Sequence, residues 1–515
     1  MKMKKWIGTS VALLSLGSLT ACGSSASTSG NNSSSAAPTA SSSTLNIGLD
    51  ADPPKLDPSL SSALVDRQVM FNIYDTLFQL TPDNKVAPDL VKSYEISKDG
   101  KTYTFHLQQN VKFQDGTPFD AAAVKFNIQR DQEKISSRRS SLTTIQSVDT
   151  PDNNTVVLHL SHPFSPLLSI FAGRAGMMVS PTAAKAEGSN FMNQPVGTGP
   201  YKFKDRVKGD HIDLVRNDSY WGQKPAIQNV TYKIFTDTNV EVANLQSGAV
   251  QIIDTFPAAQ LNSLKSNSNL TVSNTPGLGY QGFYINVTQA PFNNKYLREA
   301  VNQAIDRSAV VNVVYPGVAQ PGYSPFSSVS PVYDQQEDTP PTPNDATVKS
   351  LLAKGGHPSG FSFTMQVASS PVTTQLAQVI QGMLAKYGIQ MKIQQLEFGT
   401  VLANEDDHNF QASQLGWSGR LDPDQDIYNW FVTGASLNGS NYSNPQVDKL
   451  LKQARVDSDA SARTADYAKV MDIIHTDVPY VYLFHQNNSF AFTNKLKGFV
   501  PYSDGVIRVD GLSLS

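Results

Sequence analysis

The sequence predicts an α/β protein with more than one domain. Segments with the two-residue period of strands alternate along the chain with segments that have the helical period of about 3.6 residues. One helical segment lies between two strand-like segments, an order typical of a parallel sheet crossed by a helix. The chain of 515 residues is also longer than a single hydrophobic core normally organises.

Three segments in the first half of the chain have the alternation of strands. They run over residues 102–107, 155–160 and 230–235, and each is bounded by Asp, Gly, Pro or Asn. Asp99-Gly100 is a turn dipeptide that favours a hairpin. The first two segments therefore predict an antiparallel addition near residues 102–160.

Helical periodicity dominates the second half. Residues 295–314 carry one apolar stripe, and residues 373–387 carry another. The second helix lies between strand-like residues 361–367 and 389–396, which together predict a βαβ unit with a right-handed crossover. Asn444-Pro445 is typical of a helix start, with a further helix after it.

The N-terminus has the order of a secretory signal. Three lysines precede a mostly apolar run, Ile7 to Leu19, which is shorter than the roughly 20 residues of a transmembrane helix. Charge, apolar core and small residues in this order predict a signal peptide over residues 1–21.

Leu19-Thr20-Ala21-Cys22 resembles the bacterial lipobox, so Cys22 is the predicted lipid-attachment residue. Residues 23–43 are almost wholly Ser, Ala, Gly, Thr and Asn, a composition typical of flexible coil, and we expect residues 22–44 to be a lipidated linker. Cys22 is the single cysteine of the chain, so no disulfide is expected. The predicted location is the outer face of the cell membrane, either extracellular or periplasmic if a second membrane exists.

The composition and net charge of the chain limit the classes of partner that it can bind. Hydrophobic residues make up 39% and charged residues 17% of the chain, as in a weakly charged globular protein. The net charge of −3 becomes −6 once the three signal lysines are removed, which argues against nucleic acid or an anionic membrane surface as a partner.

Several motifs from about Leu45 to the end occur in the order of one family. Together they resemble the extracellular solute-binding proteins of peptide and nickel ABC importers, of the oligopeptide- and dipeptide-binding type. The motifs are VAPDL (86–90), DGKTYTF (99–105), VKFQDG (111–116), VGTGPY (196–201), REA (298–300), AIDR (304–307) and GWSGRLDPD (416–424).

The resemblance implies a bilobed, periplasmic-binding-protein-like fold of two α/β lobes joined by a hinge. Lobe one would comprise residues 45–283 and 488–515, with an inserted subdomain near 89–190, and lobe two would comprise 284–487. The chain would cross between lobes near Gly279–Asn286 and Leu483–Phe492.

The implied function is capture of a small peptide-like or acidic solute and its delivery to the permease subunits of an ABC importer. A monomer is expected, with no enzymatic activity, cofactor or metal site.

The segment around Trp417 gives the clearest indication of ligand-binding residues in the sequence. Within six residues it offers a flat aromatic face, accessible backbone, a planar cation and a carboxylate. With one residue from the first lobe crossing, the candidate ligand-binding residues are Tyr280, Trp417, Ser418, Gly419, Arg420 and Asp422.

Arg420 departs from the family pattern. Relatives that bind peptides carry an acid at this place, which receives the α-ammonium of the peptide. Arginine cannot accept a hydrogen bond, so that anchor is missing unless Asp422 or Asp424 replaces it. An exposed acid on the ligand is the expected partner of Arg420.

Other interpretations remain open. A secreted hydrolase acting on oligosaccharide or peptide is the alternative function, with Asp422, Asp424 and Asp426 as candidate paired carboxylates. Among binding proteins, opines, glutathione-like peptides, oligosaccharides and nickel chelates all remain candidate ligands. Asp306 and Arg307 fall at the edge of a helical stripe, where a solvated ion pair is expected.

Overall fold

The computed structural model of the protein describes residues 43–457 and 459–515. The predicted signal peptide, the lipid-attachment residue Cys22 and the linker up to residue 42 lie outside the described residues. The strands, in chain order, are β1 Thr44–Leu49, β2 Phe78–Leu80, β3 Val86–Pro88, β4 Val91–Ile96, β5 Thr102–Leu107, β6 Ile145–Asp152, β7 Thr155–Leu160, β8 Tyr201–Val207, β9 His211–Arg216, β10 Asn229–Ile234, β11 Ile252–Ile253, β12 Leu270–Pro276, β13 Gln281–Ile285, β14 Ala319–Pro321, β15 Ser362–Ala368, β16 Gln390–Leu396, β17 Ala412–Gln414, β18 Tyr480–Thr493, β19 Leu496–Lys497 and β20 Ser513–Leu514.

Helices alternate with these strands. In chain order they are α1 Leu64–Ile73, α2 Ala121–Asp131, α3 Leu167–Ile170, α4 Pro181–Glu187, α5 Thr238–Ser247, α6 Leu261–Ser266, α7 Lys295–Ala304, α8 Arg307–Val314, α9 Asp345–Lys354, α10 Pro371–Ala385, α11 Phe398–Asp406, α12 Asp424–Phe431, α13 Pro445–Val456 and α14 Ala460–Asp477. The predicted α/β class is confirmed.

Strand β18 connects two parts of a long mixed sheet. The main path of that sheet runs β16-β15-β17-β13-β18-β11-β1-β10-β9-β8. Residues 480–486 of β18 pair with β13 and β14, and residues 487–493 pair with β12 and β11. The partners therefore change at Gln486 and Asn487, in the middle of one strand.

A second sheet is antiparallel and has its own core. Its order is β4-β5-β7-β6, and the predicted strands at 102–107 and 155–160 are its two central members. Buried apolar residues between Leu77 and Met178 pack together around it. The predicted antiparallel addition is thus present as a separate layer.

The predicted βαβ unit is also present. Strands β15 and β16 pair in parallel, and α10 connects them. Pro371 stands in the first turn of α10, and the Ser370 side chain accepts a hydrogen bond from the Thr373 backbone, so the cap fixes where the helix begins. Strand β17 also lies parallel to β15, and it leads directly into the Trp417 segment.

The single helix predicted over residues 295–314 is wrong, because the structure has α7 and α8 there. Ile305 is extended, and Asp306 caps α8 by accepting a hydrogen bond from the Ala309 amide at 2.9 Å. The apolar period continues through the break, which explains why the sequence pattern does not reveal it.

The solvated pair predicted for Asp306 and Arg307 is also wrong. Arg307 is 2% exposed, and its Nε donates to the Tyr482 carbonyl at 2.7 Å. Its guanidinium lies 4.9 Å from the centre of the Tyr323 ring. Arg307 therefore holds α8 against β18, whereas Asp306 is a helix cap.

Apolar burial extends across the predicted lobe boundary at 283/284. The largest hydrophobic cluster contains buried residues from 242–264 as well as from 283–391, together with Val481 and Ala491 of β18. Over residues 43–457 and 459–515, no helix is both long enough and apolar enough to cross a bilayer.

Candidate ligand-binding cavity

A cavity of about 1150 Å³ lies between the two parts of the long sheet. Its wall includes the residues after β1, the start of α1, the Trp417 segment and the middle of β18. This volume is slightly above the range of roughly 300–1,000 Å³ that small-molecule sites occupy. The space is therefore sufficient for a solute of a few amino-acid residues.

Aromatic rings form one side of the cavity. Trp417, Tyr284 and Trp430 all line it. The ring centres of Trp417 and Trp430 are 4.8 Å apart, and Tyr284 stacks on Trp430 at 5.7 Å. The Trp417 indole Nε1 donates to Asp426 at 2.9 Å, so the ring orientation is fixed.

Tyr280 supports this wall from behind. Its amide and carbonyl exchange hydrogen bonds of 2.9 Å with the backbone of Trp417, and its ring packs at 5.2 Å from Tyr482. Tyr280 is 2% exposed and is not among the cavity-lining residues. In this structure it holds the Trp417 segment against β13.

Ser418 lines the cavity, whereas Gly419 does not. The φ of Gly419 is +72°, and a Cβ there would lie 2.2 Å from the backbone of Leu278. The left-handed conformation and the close approach both require glycine. Gly419 therefore fixes the direction in which the chain leaves Trp417.

Arg420 lies directly behind Ser418. Its Nη1 donates to Ser418 Oγ at 3.1 Å, and its guanidinium carbon lies 4.2 Å from the centre of the Trp417 ring. Its Nη2 is buried and has no hydrogen-bond partner in the described part of the chain. Burial first, and then repulsion from Arg67, lower the pKa of Arg420 well below its ordinary value.

Three more buried arginines surround the same wall. Arg67 donates to Ser418 Oγ at 3.3 Å and is paired with Asp504. Arg174 donates to Ser61 Oγ at 2.9 Å. Arg138 donates to the Ser61 carbonyl at 3.0 Å. None of the four arginine side chains lines the cavity itself.

These three arginines also have unused donors. Within residues 43–457 and 459–515, Arg67 Nε, Arg138 Nε and Arg174 Nη1 have no hydrogen-bond partner. Repulsion from Arg420 adds to burial in lowering the pKa of Arg174. The region behind Ser61 and Ser418 is therefore rich in buried guanidinium donors that have no acceptor among the described residues.

The start of α1 adds further positive potential. Ala63 is the N-cap residue and provides no side-chain hydrogen bond, and Ala63, Leu64 and Val65 line the cavity. Backbone amides at a helix N-terminus carry partial positive charge. With the guanidinium of Arg174 donating to the Ala63 carbonyl, this side of the cavity is suited to an acid group.

The acids that follow Arg420 each have a different partner. Asp422 pairs with Arg463 at 2.7 Å, and Asp424 pairs with both Nε and Nη2 of Arg455. Asp426 accepts from the Trp417 ring and the Arg420 amide. Neither Asp422, Asp424 nor Asp426 lines the cavity, so they do not form the facing carboxylates that a glycosidase requires.

The structure thus places the predicted residues in two groups. Trp417 and Ser418 lie on the cavity wall, while Tyr280, Gly419, Arg420 and Asp422 lie behind it. Sequence reasoning missed Tyr284, Trp430 and the three partner arginines. Trp430 lies on α12, after the Asp-Pro turn. Tyr428 and Phe431 are also aromatic, and such a cluster of aromatic residues is a sequence signal consistent with an aromatic wall.

Comparison with known proteins agrees with this architecture. Residues 85–439 match the family model of the bacterial extracellular solute-binding proteins, family 5. The glutathione-binding protein GsiB of Salmonella paratyphi A is 33% identical over 476 residues, which cover 89% of this chain and 92% of GsiB.

Solved structures of binding proteins have the same fold as this chain. The periplasmic binding protein DppA of Helicobacter pylori, in complex with the peptide STSA, has a TM-score of 0.85 and 28% identity, covering 92% of this chain and 98% of DppA. The binding protein AgaA of A. tumefaciens R10, in complex with agropinic acid, has a TM-score of 0.86 and 28% identity, covering 92% of this chain and 99% of AgaA. The bilobed, periplasmic-binding-protein-like fold is confirmed, and the chain belongs to the family 5 bacterial extracellular solute-binding proteins of ABC importers.

Proposed function

We propose that this protein captures an amino-acid-derived solute with at least one acid group and delivers it to the permease subunits of an ABC importer. The observation that carries the proposal is the cavity itself. Its aromatic wall of Trp417, Tyr284 and Trp430 lies next to the uncapped start of α1. An apolar face and an anion-binding group side by side suit an organic acid.

The arginines support an acid as the ligand group. Arg67 and Arg420 both bind Ser418 Oγ, which lines the cavity, and both retain a buried donor without a partner in the described residues. Unmatched buried donors are costly until an acceptor arrives. The relatives extend the chemistry, since GsiB is named for glutathione and the solved structures hold a tetrapeptide and agropinic acid.

We propose that the lobes meet along β18. The change of pairing partners at Gln486 and Asn487 supports lobe one as 45–283 and 488–515 and lobe two as 284–487. The separate core between Leu77 and Met178 supports an inserted subdomain near 89–190.

We also propose attachment to the outer face of the cell membrane through a lipid on Cys22. One acyl chain binds membranes only marginally, whereas several chains on one cysteine give stable anchoring. Cys22→Ser should move the folded protein from the membrane pellet to the soluble fraction. A folded Ser variant that still sediments with membranes would contradict the anchor.

Ligand binding without turnover tests the function. Glutathione, Ser-Thr-Ser-Ala, Met-Leu and agropinic acid are titrated against the purified protein, and thermal unfolding is monitored. A bound solute raises the unfolding temperature, because it stabilises the folded state by an amount that grows with the logarithm of its concentration divided by its Kd. Mass spectrometry should then recover the stabilising compound unchanged. A compound that is converted without saturable stabilisation would instead indicate the hydrolase.

A further inference from the structure

The cavity wall carries six carboxylates and one lysine. The carboxylates are those of Asp50, Asp52, Asp254, Glu397, Glu405 and Asp406, and the lysine is Lys208. This excess of acids is separate from the arginine-rich side, because it lies on the residues after β1, β11 and β16 and on α11. The wall therefore has an acidic side as well as a positive one.

Four of the six carboxylates have identifiable partners. Their partners are Arg206 for Asp52 at 2.6 Å, the Thr400 amide for Glu397 at 3.1 Å, Ser413 for Glu405 at 2.6 Å and Lys55 for Asp406 at 3.7 Å. Asp50 and Asp254 form no ion pair with any described residue. Asp50 and Asp254 are thus two cavity carboxylates that no cation of the described residues neutralises.

Asp50 and Asp254 lie side by side at the ends of neighbouring strands. Strands β1 and β11 pair in parallel, with Gly48 opposite Ile253. Asp50 and Asp254 follow directly after the carboxyl ends of these strands. The carboxyl ends of parallel strands are where ligands commonly bind in α/β sheets.

Glu241 brings a third carboxylate to the same place. It lies on α5 and is 0% exposed. Its carboxylate touches Gly48, since a Cβ on Gly48 would lie 2.6 Å from Glu241 Oε1. Both oxygens of Glu241, and Oδ1 of Asp254, have no hydrogen-bond partner among residues 43–457 and 459–515.

The charge of Asp50 raises the cost of ionising both of the other acids. Burial first, then the charges of Asp254 and Asp50, raise the pKa of Glu241 well above its ordinary value. Burial and the charge of Asp50 do the same for the pKa of Asp254. A buried carboxylate without a counter-ion is unfavourable, and a cation that enters the cavity supplies the missing partner.

We propose that Asp50, Asp254 and Glu241 form a subsite that receives the ammonium group of the ligand. Asp50 and Asp254 contact the cation from the cavity wall, and the positive charge of the cation lowers the cost of ionising Glu241 behind them. This inference rests on the proposed function. It places opposite charges on two sides of one cavity, so the ligand class is a zwitterion with a free amine and an acid.

The subsite also replaces an anchor that the Trp417 segment cannot provide. Asp422 and Asp424, the two acids nearest Arg420 in sequence, are both paired with arginines. Asp50 and Asp254 have no such pairing within the described residues, and they line the cavity. An amine therefore has two accessible carboxylates at β1 and β11.

Matched peptides with and without a free amine test the subsite. Calorimetry compares glutathione and Ser-Thr-Ser-Ala with their N-acetyl forms, against wild type and Asp254→Asn. For wild type, N-acetylation should weaken binding tenfold or more. Asp254→Asn should weaken the free amine tenfold or more and leave the affinity of the N-acetyl form unchanged.

Two variants control for folding. Glu241→Gln should raise the unfolding temperature of the empty protein, because it removes an unpaired buried acid, and still weaken binding of the free amine. Asp213→Asn changes a carboxylate of β9 outside the cavity, hydrogen-bonded to Thr231 at 2.7 Å, and should leave affinity unchanged. If Asp254→Asn does not fold, Asp50→Asn provides the same comparison.

The outcomes separate the two proposals. Equal affinity for free and N-acetylated peptides, or an unchanged free-amine affinity in folded Asp254→Asn and Asp50→Asn, overturns the subsite and leaves the receptor function intact. If no compound binds and purified protein releases no solute, the receptor function itself is overturned, and the subsite with it.

Discussion

Arg420 shows how one residue changes the chemistry of the cavity. At the place where the family resemblance implies an acid, this chain has a guanidinium that stacks on Trp417 and binds Ser418. It also joins Arg67 and Arg174 in a buried group with unused donors among the described residues. The acceptor for an ammonium has therefore to be sought elsewhere on the wall.

Arg420→Ala should weaken acidic ligands selectively. A direct hydrogen bond to a charged group contributes about 1.5–3 kcal/mol, or roughly tenfold to over a hundredfold in affinity. Arg420 acts from behind Ser418, so its removal should cost an acidic ligand less than this. Calorimetry with a bound peptide and its C-terminal amide should show the larger loss for the acid. Arg139→Ala removes an exposed arginine nearby and should change neither. Equal losses for acid and amide would assign Arg420 a purely structural role.

Glu405 should make stability depend on pH. Burial raises its pKa from the ordinary 4.5 to about 8, although a hydrogen bond from Ser413 partly opposes this. A raised carboxyl pKa means that the folded state binds the proton more tightly than the unfolded state. Its contribution is therefore present below pH 4.5 and is lost as pH rises through about 8.

The test compares urea unfolding of wild type and Glu405→Gln between pH 5 and pH 8. The free energy of unfolding of wild type should fall relative to the variant by at most about 1.4 kcal/mol per pH unit. Parallel curves for the two proteins across this range would contradict the raised pKa.

At the scale of elements, caps decide boundaries that apolar periodicity leaves undefined. The stripe over 295–314 is continuous in sequence, yet α7 ends before the extended Ile305 and Asp306 begins α8 as its N-cap. The break turns Arg307 toward the carbonyl of Tyr482 on β18. Two short helices can thus pack on the sheet at different angles, which one long helix cannot do.

Asp306→Ala should lower the free energy of unfolding by ~1 kcal/mol, the usual cost of losing an N-cap. Chemical denaturation measures the change. Ser308→Ala, at an exposed position of the same helix, should have little effect. A loss for Ser308→Ala as large as that for Asp306→Ala would show that the cap hydrogen bond is not the cause.

At the scale of the whole molecule, a set of individually weak polar contacts joins the two sides of the cavity. Ser140 Oγ donates to Asn429 at 2.7 Å, the Ser165 amide donates to the Arg455 carbonyl at 3.0 Å, and Lys55 lies 3.7 Å from Asp406. A hydrogen bond of this kind contributes about 0.5–1.5 kcal/mol, and a surface ion pair contributes about 0–1 kcal/mol. A ligand that contacts both sides can therefore shift the balance between open and closed states.

Ligand binding should make the protein more compact. Small-angle X-ray scattering should give a smaller radius of gyration at a saturating concentration of the compound that stabilises the protein. A compound that gives no thermal stabilisation serves as the control and should leave the radius unchanged. An unchanged radius with the binding compound would indicate a body that is already closed without ligand.

The sequence by itself determined the α/β class, the antiparallel layer, the βαβ unit and the family. These features depend on local periodicity, turn dipeptides and ordered motifs, which are properties of neighbouring residues. Trp417 and Ser418, two of the candidate residues named from the sequence, line the cavity. Residues 279–286 and 483–492, which the family resemblance implies as the crossings between lobes, overlap β13 and β18.

Only the tertiary structure decided which charges meet. Arg67, Arg138, Arg174 and Arg420 are far apart in sequence, and so are Asp50, Glu241 and Asp254. Parallel pairing of β1 with β11 and the packing of α1 against the Trp417 segment bring each set together. Electrostatic interaction depends on distance and burial rather than on position in the chain, so no local pattern could reveal either side of the cavity.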